Sequence, residues 1–154
     1  MIRNNRGSQS IEMLITLPLI LMLFFMVVEM GFIMYDFVAV NYTANSMAVQ
    51  AATQGCFTQD IRDSGANYIR TWTTGGHNIG INASATIPAP SENTAVIWGP
   101  SSGQKFNRGQ MIEVGIIYPI KFKTFVMKGL SWMVDEEKLY LRSNASAMSE
   151  IFIE

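Results

Sequence analysis

The amino-acid sequence predicts an α+β fold, in which one long N-terminal helix leads into a small globular domain with a short helix and an antiparallel β-sheet. Residues 13–28 are all apolar except Thr16. Helical spacing of apolar residues continues beyond this run, and alternating, strand-like spacing replaces it after Gly75 and Gly76. A length of 154 residues is enough for one globular domain and little more.

The apolar run is long enough to cross a membrane. As a helix, residues 14–35 extend roughly 33 Å, and the hydrocarbon core of a bilayer is about 30 Å thick. Charged residues make up only 15% of the chain, against about 25% in an average soluble domain. We therefore expect one membrane span over about residues 13–35.

The basic residues predict how this span is oriented. Arg3 and Arg6 precede the apolar run, and the next basic residue after it is Arg62. The side of a span that carries the basic residues stays in the cytoplasm. We therefore expect a cytoplasmic N-terminus and an extracytoplasmic chain from Asp36 onward.

Beyond the span, the spacing of apolar and turn residues predicts the remaining elements. The first helix is expected to continue from about residue 10 to residue 54, where Gly55 ends it. A second helix is expected from an N-cap at Thr58 to about residue 72. Alternating residues predict strands at 79–87, 94–98, 111–118 and 138–153, and residues 122–134 fit either a short amphipathic helix or a surface loop.

Composition argues against several classes of function. A formal charge of −1 does not suit a nucleic-acid-binding protein, which usually carries a basic patch. Cys56 and His77 are the only residues of their types, so one chain cannot form a disulfide, a catalytic triad built on those types or a histidine-based zinc site. We expect no enzymatic activity, no metal and no other cofactor, with Cys56 as a small buried or half-buried side chain and His77 in a surface loop.

The residues before the apolar run carry the most specific motif. Residues 3–12 read RNNRGSQSIE, and the small-residue cleavage site of a secretory signal is missing after the run. This motif resembles the processing site of type IV prepilins, which a prepilin peptidase cuts after the glycine. The resemblance implies a cut between Gly7 and Ser8, and it makes Glu12 the fifth residue of the mature chain. The domains would then be a leader at 1–7, a long hydrophobic helix at 8–55 and an extracytoplasmic α+β domain at 56–154.

Three residues of the apolar helix are candidates for roles in assembly. The resemblance implies that Glu12 pairs with the free amine of Ser8 in a neighbouring subunit and sets the axial register, whereas a lone Glu12 also fits the membrane–water boundary. Pro18 removes one helical hydrogen bond, and the resulting kink either helps the helix to bend during extraction from lipid or is passively tolerated. Glu29 lies roughly 22 Å along the helix from Leu14, where it either extends toward the headgroups or pairs with a partner helix.

A narrower resemblance points to one group of pilin-like proteins. Residues 10–20, SIEMLITLPLI, resemble the start of TadE-like pseudopilins, in which a glutamate is followed six residues later by Leu-Pro. Further matching features are Val28-Glu29-Met30-Gly31 with Tyr35, the Ala-rich helix end at 48–55, and the tail at 112–119 and 143–147.

This resemblance implies a minor pilin or pseudopilin that takes part in assembly of a Tad/Flp tight-adherence pilus or a related secretion filament. The implied partners are the prepilin peptidase, other pilins that contact the N-terminal helix, the pilus assembly platform and membrane lipid, and no nucleic acid. The implied location is the bacterial cytoplasmic membrane as a single-pass protein, and the pilus or cell surface after assembly. Two alternatives stay open: a filament-forming type IV-like pilin, and an unprocessed single-pass membrane protein with an extracytoplasmic binding domain.

Overall fold

The first element of the computed structural model is a single long helix. The structure describes residues 6–91, 93–129 and 139–151, with side chains from residue 11 onward. Helix α1, Arg6–Gln54, contains 49 residues and continues through Pro18, so it is roughly 72 Å long. Gly55 follows it with φ +65°, a left-handed conformation that favours glycine at a helix end. The predicted helix end at Gln54 and Gly55 is confirmed.

The second helix packs across the C-terminal half of α1. Helix α2, Gln59–Trp72, begins at the predicted N-cap, where the Thr58 hydroxyl accepts a hydrogen bond from the Ile61 N–H at 3.4 Å. The two helices approach closely at Gly65, because a Cβ atom there would lie 2.3 Å from the Met47 sulfur. A 3₁₀ turn, Gly76–Asn78, ends this part of the chain, and its His77 is exposed, as expected for a surface loop.

Four strands form one sheet in the order β1-β2-β3-β4. They are β1 (Gly80–Ser84), β2 (Thr94–Trp98), β3 (Met111–Pro119) and β4 (Tyr140–Met148). A short helix α3, Phe125–Gly129, precedes β4. The predicted α+β class is confirmed, and part of the 122–134 segment is helical, while residues 130–138 lie outside the described residues.

The sheet is mixed, and this differs from the antiparallel sheet expected from the sequence. β2–β3 and β3–β4 are antiparallel, but β1 and β2 run parallel. The connection at 85–93 is long enough to return to the start of β1, since nine residues reach roughly 30 Å and a five-residue strand is roughly 17 Å long. Pro88 and Pro90 lack the N–H groups that a strand paired with β1 in a hairpin would donate. The connection instead returns to the start of β1, where the Gly80 N–H donates a hydrogen bond to the Asn93 carbonyl at 3.0 Å.

The hydrophobic core lies between the sheet and the C-terminal half of α1. Small and medium side chains on one face of α1 repeat every three or four residues, which is the spacing of one helix face, and the alanines among them let the sheet approach the helix closely. Cys56 is half-buried beside this core, as predicted. The central buried residues are Val40, Ala44, Met47, Ala48 and Ala51 of α1, Phe57, Ile61 and Ile69 around α2, and Ile97, Ile112, Val114, Ile116 and Tyr118 of the sheet.

Candidate functional site: the apolar half of α1 and its contacts with the domain

The N-terminal half of α1 exposes apolar side chains on all sides. The most apolar stretch of 18 residues in this helix has a mean hydropathy of 2.6, and the rest of the described chain buries none of it. Leu14, for example, is 76% exposed. By length and composition, α1 is the one helix among the described residues that is suited to cross a membrane. An exposed surface of this kind fits lipid or other apolar helices, since a soluble monomer rarely exposes so large an apolar patch.

The residues of the predicted processing site lie at the start of this helix. The backbone of Gly7 and Ser8 is helical, and Glu12 follows with an exposed side chain. Five residues of helix correspond to roughly 7.5 Å along the axis, so Gly7 and Glu12 are close in space. Pro18 lies inside α1, and because proline has no N–H, the Leu14 carbonyl lacks its usual helical donor. The roles predicted for these residues concern other molecules and stay predictions.

Glu29 bonds to the globular domain of its own chain. The sequence predicted only extension of this side chain toward the headgroups or its pairing with a partner helix. Its side chain is only 2% exposed. One carboxylate oxygen accepts the backbone N–H of Lys123 at 2.7 Å, and the other accepts the backbone N–H of Thr124 at 2.8 Å. Both are short hydrogen bonds to a charged acceptor, which are stronger than bonds between neutral groups. Glu29 therefore holds the segment before α3 against the apolar helix, and its predicted pairing with a partner helix during assembly stays a prediction.

Asp36 makes an equivalent contact two helical turns further along the same face of α1. Its two carboxylate oxygens accept the backbone N–H and the hydroxyl of Thr74, each at 2.7 Å. The Lys123 ammonium donates to the Thr74 carbonyl at 2.9 Å, which links the two contacts. We call these five residues, Glu29, Asp36, Thr74, Lys123 and Thr124, the carboxylate clamp.

A buried tyrosine lies beside the clamp. The Tyr118 hydroxyl bonds to the Thr73 hydroxyl at 3.0 Å, and Thr73 in turn donates to the Ile69 carbonyl at 2.6 Å. The pKa of Tyr118 is raised to about 12, chiefly by burial and also by the charge of Asp36, although hydrogen bonds with Thr73 and with the backbone of Gly75 act in the opposite direction. The network therefore joins the end of β3 to the end of α2 at the same level as Asp36.

An aromatic contact completes this region. The rings of Phe25 on α1 and Phe125 on α3 meet edge to face, with 5.0 Å between their centroids, an arrangement that aromatic pairs prefer. Sequence reasoning missed Asp36 and Phe125. The spacing of seven residues between Glu29 and Asp36 was a usable signal, because it places two acids on one helix face, but their acceptor role depends on contacts that are distant in the sequence.

Comparison with known proteins supports the resemblance found in the N-terminal segment. The model of one family, described as TadE-like protein, matches residues 7–55. No curated protein matches the chain, and no solved structure matches it. The matched residues include the predicted processing site, the exposed apolar half of α1 and the acids of the clamp that lie on α1. Over residues 7–55, which include most of α1, this chain is similar to the TadE-like family.

Proposed function

We propose that this protein is a minor pilin-like component of a Tad/Flp-type pilus system, anchored in the bacterial cytoplasmic membrane by α1. The observation that carries the proposal is the exposed apolar half of α1, which lies inside the segment that matches the TadE-like family. A helix that is apolar on all sides fits lipid first, and it fits a bundle of similar helices after it leaves the lipid. A structural role of this kind agrees with the family, which is associated with pili and not with catalysis.

Processing after Gly7 is the first step of the proposed function. The leader carries Arg3 and Arg6, which hold the N-terminus in the cytoplasm. A prepilin peptidase would cut between Gly7 and Ser8 and remove both charges. After the cut, burial of apolar side chains alone holds α1 in the bilayer, so the helix is able to move sideways into an assembly.

Pairing of Glu12 with the new N-terminus is the second step. Cleavage creates a free amine on Ser8, and Glu12 has no cover from the rest of the described chain. Inside a bundle of apolar helices, a lone carboxylate is costly and is expected to pair with a positive charge. The Ser8 amine of a neighbouring subunit supplies that charge, and the pair then determines the axial position of one helix against the next.

The Glu12→Ala variant tests this function, with Met13→Ala as the matched control. Met13 is the next residue and is also exposed, so its variant changes the helix surface without removing a charge. Loss of one partner from a desolvated ion pair typically costs about 3–5 kcal/mol, whereas loss of a boundary carboxylate removes about 0.3–1 kcal/mol. We expect normal processing of both variants, a severe loss of Glu12→Ala from assembled pili, and nearly normal incorporation of Met13→Ala.

The assay compares the amounts of processed membrane protein and of sheared pili in strains with an otherwise complete pilus system. Normal cleavage with normal incorporation of Glu12→Ala would contradict the pairing role. Abundance of the wild-type chain in sheared fibres separates a minor component, present at a small fraction of the fibre protein, from a filament-forming pilin.

A further inference from the structure

The segment 120–129 lies beside the part of α1 that is expected to be in the membrane. Phe125 contacts Phe25, and the backbone of Lys123 and Thr124 is bound to Glu29. A hydrocarbon core of about 30 Å corresponds to about 20 residues of helix, so a span that begins at Met13 reaches its outer edge near Ile33. The contact between Phe125 and Phe25 therefore lies about 12 Å below that edge.

The composition of this segment suits the boundary between lipid headgroups and acyl chains. Phe125 is 73% exposed although it borders the most apolar surface of the molecule. Three lysines accompany it in 121–128. The Lys123 ammonium bonds to the carbonyl of Thr74, and the Lys121 ammonium bonds to the side-chain carbonyl of Asn93, so each of these two bonds is made to a neutral oxygen atom. Basic residues next to exposed apolar ones are typical of segments that lie in a membrane interface.

The neighbouring end of α2 adds a second aromatic side chain of the same kind. Trp72 is 52% exposed, and it lies two residues before Thr74, which is bound to Asp36. Asp36 lies roughly 16 Å along α1 from Phe25, so Trp72 is near the level expected for headgroups. Tryptophan is enriched at this level of membrane proteins.

From these contacts we infer that segment 120–129 is a second membrane-binding element, which lies in the leaflet on the domain's side of the bilayer. Phe125 enters the acyl region, and Lys121 and Lys123 contact lipid phosphates. The occupant of the exposed surface of Phe125 is lipid, because this surface is continuous with the lipid-facing surface of α1 around Phe25. The segment, the clamp and α1 together hold the domain at one depth and one tilt on the membrane. This inference depends on membrane anchoring by α1 and not on processing or pilus assembly.

Site-directed spin labelling measures this depth. Replacement of Cys56, the only cysteine, by serine allows one label to be placed at Phe125→Cys and a control label at Met111→Cys. Met111 is 58% exposed and is the first residue of β3. It lies at the opposite end of this strand from Tyr118, which bonds to Thr73 beside the clamp. The full chain is reconstituted in nanodiscs of phosphatidylethanolamine and phosphatidylglycerol, and collision of each label with oxygen and with a water-soluble nickel complex is compared.

We expect the label at position 125 to favour oxygen over the nickel complex several-fold more than the label at position 111. Equal, water-like accessibility at both positions would overturn the inference. Protection of position 125 from both reagents would also overturn it, since that result indicates contact with protein instead of lipid.

A measurement on the wild-type chain keeps the test valid if Phe125→Cys does not fold. Lipids that carry a photoactivated group in the upper acyl chain are included in the same nanodiscs, and labelled peptides are identified by mass spectrometry. Labelling of the peptide that contains 124–128, together with peptides of the apolar half of α1, is the expected result. Labelling confined to α1 would contradict the inference. Neither measurement requires leader cleavage or pili, so failure here is distinct from failure of the proposed function.

Discussion

The carboxylate of Glu29 accepts the backbone N–H of Thr124 at 2.8 Å, which joins residues 95 positions apart in the sequence. Glu29 is on the apolar helix, and Thr124 precedes α3 in the globular domain. Two turns further on, Asp36 holds Thr74 in the same way. The domain is therefore fixed to α1 by hydrogen bonds to two carboxylates next to the apolar half of the helix and by the hydrophobic core further along. A movement of α1 out of the lipid would carry the domain with it.

Removal of the Glu29 carboxylate should loosen the segment before α3. Glu29→Ala leaves two N–H groups without their acceptors, and an unsatisfied buried donor costs about 1–3 kcal/mol. We expect the amide of Thr124 to exchange its hydrogen about tenfold faster or more, because each 1.4 kcal/mol corresponds to about a factor of ten. Met30→Ala is the control, since Met30 is exposed and adjacent. Unchanged exchange at Lys123 and Thr124 in Glu29→Ala would show that the clamp does not stabilise this segment.

The sequence predicted the helices well because their signals are local. An apolar run, a threonine N-cap and a glycine after the last turn lie within a few residues of the structure that each determines. The strands were located by alternation, but the direction of β1 against β2 depends on the path of the 85–93 connection, which alternation does not describe. The partners of Glu29 could not be predicted for a related reason. Its hydrogen bonds reach backbone groups more than 90 residues away, and the local spacing of residues contains no information about such contacts.

High pH should weaken the fold through Tyr118. Its pKa is raised to about 12 in the folded chain from an ordinary value of 10, so the unfolded chain loses the proton first. Stability is therefore unaffected below pH 10 and falls as pH rises from 10 to 12, by about 1–2 kcal/mol. Urea unfolding at pH 9 and pH 11.5 measures this fall. Tyr118→Phe should be less stable at pH 9, because Thr73 loses a partner, and should show a smaller fall at pH 11.5. If the free energy of unfolding fell equally in the wild-type chain and in Tyr118→Phe, the pH dependence would come from other groups.

A methyl group at Gly115 should collide with the indole ring of Trp98. These residues are cross-strand partners of β3 and β2, and a Cβ atom at Gly115 would lie 2.5 Å from the Trp98 ring. Overpacking of this kind costs about 1–3 kcal/mol, so Gly115→Ala should lower the free energy of unfolding by that amount. In a Trp98→Ala background, the same substitution should cost almost nothing. An equal cost in both backgrounds would mean that the indole ring is not the cause.

The proposed orientation, with the N-terminus in the cytoplasm and the domain outside, predicts which residues an external protease reaches. Lys105, in the connection between β2 and β3, is exposed. Trypsin added outside the cytoplasmic membrane should therefore cut in this connection and should not reach residues 1–12. Permeabilised cells are the control, since trypsin then also reaches the N-terminus. A reporter that works only in the cytoplasm, yet is active when fused after Glu154, would contradict the orientation.

The mass of the N-terminal peptide of the membrane-bound protein tests the central claim most directly. In cells with an active prepilin peptidase, we predict that the mature chain begins at Ser8, because the glycine and the glutamate have the spacing of a prepilin processing site. The control variant Gly7→Leu should keep its leader, since a bulky side chain does not fit a cleft adapted to glycine. A wild-type chain that keeps an intact Met1 terminus in those cells, or that is cut near residue 50, would contradict the account.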